Sequence, residues 1–211
     1  MEHQVINLVH NATEAVFANS VVVEANDNII GEEISSPLLH KELDMLTIYQ
    51  KSVYLLILNA TMILRSIGHP LHRNNAALTV RDFKIQLFSK IENLTSLIEA
   101  NAFTENELIN SIVDLANHFS ISIGQSQKAI NVILKYHYHL SRMNNNDIKR
   151  ILHCPIDSKI LEVLGIINLR LNAINLEKYL EIQNRISAIT PYRIDFDSHW
   201  DNQHLDDEGL L

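Results

Sequence analysis

Apolar residues recur at helical spacing along most of the chain. Leu39, Leu43, Leu46, Tyr49, Val53, Leu56, Ala60 and Leu64 follow one another every three to four residues, which marks one face of an amphipathic helix. Ser36 suits an N-cap and Pro37 the first helical position, so this helix is predicted to begin at 37 and to stop near Gly68 and Pro70. Thr79 caps a second helix, with Phe83, Leu87, Ile91, Leu94 and Ile98 on its apolar face. Thr104-Glu105-Asn106-Glu107 has the form of a capping box and opens a third, with Leu108, Ile112 and Leu115 inward. A break is expected over Ser120–Gly124, then a helix through Leu140 with Ile130, Ile133, Leu134 and His137 on one side. Asn144-Asn145-Asn146 reads as a loop, Pro155-Ile156-Asp157 introduces a helix through Leu164, and Leu171 to Ile186 is the last helix.

Ahead of these elements, Val5 to Phe17 fits a short helix. Val21-Val22-Val23 and Ile29-Ile30 flank Asn26-Asp27-Asn28 as a small hairpin would. The expectation is one all-α, multi-helix domain over 37–190, an N-terminal elaboration over 1–36 and an acidic tail over 191–211. Only five glycines and four prolines occur in 211 residues, against a many-stranded sandwich or barrel, and a 46% hydrophobic content argues against disorder. The single cysteine, Cys154, excludes a disulfide framework and a multi-cysteine zinc site, and no metal or other cofactor is expected. No apolar run approaches the roughly 20 residues of a membrane span, and the start Met1-Glu2-His3-Gln4 lacks a basic signal region. A cytoplasmic protein without a membrane partner is expected, in which the sequons at Asn11, Asn59 and Asn93 are incidental.

Charge changes this picture. The chain carries a net charge of -8, which taken whole argues against a nucleic-acid binder. Its distribution is uneven: Lys128, Lys135, Arg142, Lys149, Arg150 and Lys159 face only Asp147 and Asp157 between 124 and 159. One basic segment in an acidic protein points to an anionic partner.

The same segment carries the chemistry. Ile123-Gly124-Gln125-Ser126-Gln127-Lys128-Ala129-Ile130-Asn131-Val132-Ile133-Leu134, read with Pro155-Ile156-Asp157-Ser158-Lys159-Ile160-Leu161, resembles the helix-hairpin-helix DNA glycosylases of the endonuclease III type and their archaeal 8-oxoguanine branch. Their hairpin reads roughly G-x-G-x-K-T-A-N-x-x-L, and a later segment P-x-x-V-D-T-x-I. Gly124, Lys128, Ala129, Asn131 and Leu134 fall in similar places, Ser126 stands for the second glycine, and Asp157 and Ile160 match the later segment. The resemblance implies that Lys128 attacks the sugar of a damaged nucleotide and that Asp157 activates the lysine and steadies the sugar cation. It implies DNA contacts from Gly124, Gln125, Ser126, Gln127, Lys135 and Lys159, in base excision with lyase activity, in a repair or phage-defence setting. No four-cysteine cluster follows, so the iron–sulfur centre of some members has no ligands here.

Physics favours such a role in outline. A lysine in a first helical turn meets the positive end of the helix dipole, and burial disfavours its charged form further. A neutral amine can then form a Schiff base, and a carboxylate opposite stabilises a cation-like sugar. The structural readings of the same residues are simpler: Lys128 as a solvated first-turn lysine, Asp157 as an N-cap, Gly124 as a helix boundary.

Two other function classes compete. Arg65-Ser66-Ile67-Gly68-His69-Pro70-Leu71-His72 resembles the arginine-to-histidine element of HEPN ribonucleases, which implies His72 as general base and Arg65 as phosphate stabiliser. A non-enzymatic helical interaction module, such as an antitoxin or a subunit of a defence complex, would show an exposed apolar patch and no cleft at Lys128. His137 and His139 alternate and so point to different helix faces, Cys154 reads as a buried filler, and Trp200 as a tail aromatic docked on the core.

Overall fold

Where one long helix is expected at the start, there are two. α1 spans Ile48–Ala60 and α2 spans Ile63–Asn74, in a computed structural model that describes residues 46–74 and 78–198, without the side chains of 69, 70 and 72–74. The predicted N-terminal elaboration, the Ser36–Pro37 start and Trp200 lie outside the described residues. Thr47 and Gln50 close a capping box at the true start of α1. The chain turns at Met62, whose φ of 56° lies in the left-handed region that a residue with a Cβ adopts only at a cost.

The stop expected at Gly68 and Pro70 does not occur, and α2 runs through both. Proline has no N–H to give to the carbonyl four residues earlier, which here is that of Ser66. A neighbouring helix supplies the missing donor: Gln125 Nε2 donates to the Ser66 carbonyl at 2.7 Å.

α3 (Val80–Glu99), α4 (Glu105–Phe119) and α5 (Ile123–Leu140) follow at the predicted places. Thr79 and Asp82 form a reciprocal capping box, while Thr104 accepts from the Glu107 N–H at 3.2 Å. A short α6 (Asn146–Ile151), α7 (Ser158–Val163) and α8 (Leu176–Ser187) complete the eight helices of the described residues, which include no strand. Single 3₁₀ turns lie at Leu171–Ala173 and Arg193–Asp195. The fold is all-α, as expected.

α5 is the axis of the fold. It packs against α1, α2, α3, α4, α8 and the first 3₁₀ turn, and 13 of its 18 residues are buried. A helix surrounded on nearly all sides has little solvent face on which to place polar residues. Gln125, Ser126, Gln127, Asn131, Lys135 and His137 are accordingly inside with the aliphatic side chains.

The helix predicted over 171–186 is shortened because its first turn is tied sideways. Ser122 Oγ donates to the Leu171 carbonyl at 2.9 Å, and the Gly124 N–H donates to the Ile174 carbonyl at 3.3 Å. Asn175 then caps α8. The contact demands glycine: a Cβ at Gly124 would lie 2.1 Å from the Leu171 carbonyl oxygen. The beginning of the predicted tail also belongs to the core, since Arg193 and Ile194 are buried.

Gly124→Ala tests this packing. The added methyl must push the 3₁₀ turn off α5, so urea denaturation should show a loss of about 2 kcal/mol or more, the range of overpacked cores. A change below about 0.5 kcal/mol would show that the turn yields freely.

Candidate functional site: the Lys128–Asp157 pair

Gly124–Ser126, where the resemblance implies a hairpin, is helical. The connection between α4 and α5 is Ser120-Ile121-Ser122, with Ser120 left-handed at φ 50° and Ser122 capping α5. Gly124 and Ser126 sit inside the first turns of α5 instead of in a turn. Physically, the Ser122–Gln125 capping box starts the helix before Gly124 is reached.

The four residues expected to hold a phosphate are therefore engaged within the chain. The Gly124 N–H is bonded to Ile174 and the Gln125 N–H to Ser122 Oγ, at 3.1 Å. Ser126 Oγ donates to the Ile112 carbonyl at 2.7 Å. Gln127 is wholly buried and grips Ile156 at two points: Oε1 accepts from its N–H at 3.1 Å and Nε2 donates to its carbonyl at 2.7 Å. This corrects the expected surface role of Gly124, Gln125, Ser126 and Gln127.

Lys128 and Asp157, 29 residues apart in the chain, do meet. Nζ lies 3.5 Å from Oδ2. The side chains are 16% and 33% exposed, so the pair is half-buried at the surface. Asp157 performs a second task with its other oxygen: Oδ1 accepts from the N–H groups of Lys159 at 2.9 Å and Ile160 at 3.1 Å, capping α7. N-cap and ion pair coexist because the carboxylate has two oxygens.

An open groove of about 360 Å³ adjoins the pair without including it. Gln125, three residues ahead of Lys128, and Ser158, which follows Asp157, line its near side. Leu161, Leu169 and Leu171 supply apolar surface, while Ser66, Arg170 and Asn172 complete the lining.

The basic residues of 124–159 do not form a continuous surface. Lys135 is buried and pairs with Asp197 at 2.7 Å, and Lys149 pairs with Asp195 at 2.7 Å while lying over the Tyr192 ring. Both acids come from the segment read as a tail. Lys159 meets Glu162 at 3.6 Å and Arg150 meets Asp147 at 3.4 Å, in exposed pairs that hold charge loosely. Exposed cations remaining from the six are Arg142, Arg150 and Lys159.

Arg65 is exposed on α2, and His72 falls two turns later on the same helix, with its side chain outside the described residues. His137 is buried and its Nδ1 meets Tyr54 Oη at 2.6 Å, whereas His139 is 3.5 Å from Asp195. Cys154 is fully buried, and burial raises its thiol pKa well above the ordinary range.

One constellation had no place in the sequence reading. Buried His153 joins Tyr179 Oη through Nδ1 and Glu105 through Nε2 at 2.7 Å, and Arg193 Nη1 reaches the same Glu105 oxygen at 2.7 Å. Burial lowers the His153 pKa, which favours the neutral ring. The pattern then requires Tyr179 to donate to Nδ1 and Nε2–H to donate to Glu105. The hydrogen bond from His153, with Arg193 second, holds Glu105 down at about 2. Nothing can reach this relay from solvent except at Glu105, because Tyr179 and His153 are closed off. It is a structural tie between α4, the 153–157 segment, α8 and the second 3₁₀ turn.

No family model matches the chain, no curated protein matches it, and no solved structure matches it.

Acid should loosen this interior in two stages. Burial holds His137 at about 4 against an ordinary 6.5, so its contribution to stability is full above pH 6.5 and drains as pH falls toward 4. Glu105, at about 2 against 4.5, contributes above pH 4.5 and loses that contribution as pH falls toward 2. Urea midpoints should decline through both windows. His137→Gln should lower stability at pH 7 yet flatten the first window by about one proton, near 1.4 kcal/mol per pH unit. An unchanged slope in that variant would contradict a buried neutral His137.

Proposed function

We propose that this chain is a non-enzymatic helical interaction module that engages a protein partner through α1. The carrying observation is the apolar surface on that helix: Ile48 is 76% exposed and Tyr49 64%. Leu56 lies two turns beyond Tyr49 on the same face, with exposed Ser52 between them, and exposed Met62 stands in the turn that follows. Four large apolar side chains left in water along one helix and its following turn are a common mark of a contact surface. In support, the groups best suited to nucleic acid are engaged internally: Gln125 and Gln127 by backbone, Lys135 and Lys149 by carboxylates. An antitoxin or a defence-complex subunit fits this reading.

A photo-crosslinker at position 52, in the native host, should give one discrete adduct. Leu56→Glu should remove it while leaving the helical signal and melting temperature nearly unchanged. No adduct at 52, or an equal one from exposed position 177 on α8, would reject the proposal.

A second reading rests on the 3.5 Å approach of Lys128 to Asp157 beside the groove. In it, the chain is a lysine/aspartate DNA glycosylase. Lys128 yields a proton, attacks the anomeric carbon as the base departs with its bonding pair, and passes to a Schiff base, while Asp157 stabilises the sugar cation. The target base must leave the stack to reach Lys128. Borohydride should trap a covalent adduct on duplexes with abasic or damaged sites, and Lys128→Gln should eliminate it. Asp157→Asn should slow base release by roughly 10²–10⁴-fold. The same substitution should leave stability almost unchanged, since Asn caps well, whereas Asp157→Ala costs about 1 kcal/mol. An absence of adduct across a lesion panel returns both residues to capping and pairing.

A further inference from the structure

We propose that the groove beside α5 is a binding site for a small organic anion, a phosphate or carboxylate carried on a flat apolar body, with Arg170 as its anion anchor. This goes beyond the contact surface on α1 and does not depend on chemistry at Lys128.

Leu161, Leu169 and Leu171 offer apolar surface to a ring, and Arg170, Asn172 and Ser158 offer polar groups. Arg170 is exposed, and no carboxylate or other partner holds its guanidinium among the described residues. Two other cations nearby are engaged: Lys128 is held by Asp157, while Arg185 bonds the Leu164 carbonyl. The Asn172 amide and Ser158 hydroxyl are likewise without a partner among the described residues. A guanidinium with two neutral donors around an apolar floor fits an anion attached to a ring. The volume, about 360 Å³, falls within the roughly 300–1,000 Å³ of small-molecule sites.

The walls are also built in advance. The Leu171 carbonyl is tied to Ser122, the Ile174 carbonyl to the Gly124 N–H, and the Leu164 carbonyl to Arg185. Gln125 closes the corner through the Ser66 carbonyl. A site whose walls are already fixed loses little conformational freedom on binding.

Isothermal titration of the full chain at low salt tests this with four probes. Adenosine 5′-monophosphate and adenosine-5′-carboxylate carry the same ring with a phosphate or a carboxylate, adenosine carries only the ring, and inorganic phosphate only the anion. At least one of the first two should bind tenfold or more tightly than adenosine and phosphate. Which of the two binds decides between phosphate and carboxylate. Arg170→Gln should weaken that binding by about tenfold or more, the worth of a charge-assisted hydrogen bond. Ser158→Trp, placed to fill the groove, should abolish it, with circular dichroism showing that the fold persists. Absence of binding by both anionic ring probes, or binding unchanged in Arg170→Gln, overturns the proposal. The borohydride trap scores the lysine reading separately, so ring-anion binding without an adduct leaves the groove proposal standing.

Discussion

A helix enclosed on nearly every side must satisfy most of its polar side chains from within the protein, and α5 imposes that constraint on the rest of the fold. Each buried donor or acceptor left alone costs about 1–3 kcal/mol, so the neighbours of α5 are held in register by its amides. Gln127 takes both backbone groups of Ile156, and Gln183 from α8 takes both of Cys154, with its Nε2 2.7 Å from that carbonyl. Pro155 between them has no N–H to satisfy. The extended run through 153–157 is thus gripped by two glutamines as a strand is gripped by its neighbours, in a protein whose described residues form no sheet.

That grip explains why Lys128 and Asp157 meet. Gln127 fixes Ile156, so the next residue along each chain segment is brought to the same side: Lys128 on α5 and Asp157 ahead of α7. The ion pair is a consequence of the amide clamp beneath it. A half-buried contact at 3.5 Å contributes little stability by itself, whereas the clamp it rests on satisfies two backbone groups at once.

How far the sequence was legible depended on whether a signal was local. The starts of α3 and α4 were readable at Thr79 and Thr104, because a cap needs only a neighbour three residues on. The end of α5 at Leu140 was readable for the same kind of reason, from the asparagine-rich loop beyond it. Nothing local announces the break at Met62, where a residue with a Cβ takes a left-handed conformation, or the survival of α2 through Pro70, which depends on Gln125. The run Gly124–Gln127, to which the resemblance assigns DNA contacts, is buried by elements as distant as Ile174 and Ile156, and nothing local announces that burial. Asp157 was legible both as cap and as partner of Lys128. The groove was not, since its walls come from four separated stretches of chain. A faint sign of the interior did exist: Gln127 and Asn131, four apart, flank the apolar Ile130 and Ile133 and share the buried side, with Asn131 Nδ2 donating to Gln127 Oε1 at 3.0 Å.

The acidic C-terminal segment completes the electrostatics that composition left unbalanced. Basic residues concentrated between 124 and 159 and acids concentrated after 190 look like two surfaces of opposite sign when the chain is read linearly. Folding lays one on the other. Arg193 donates to the carbonyls of Arg150 and Ile151 and to Glu105, which places Asp195 beside Lys149 and His139, and Asp197 beside Lys135. The ordering of these contacts matters. Arg193 and Ile194 are buried and anchor the segment, so the carboxylates that follow are delivered at fixed positions and face a smaller entropic loss than two free side chains would. Charge asymmetry along a sequence therefore predicts an anionic partner only when the chain has no anionic segment of its own that the fold can bring to the same place.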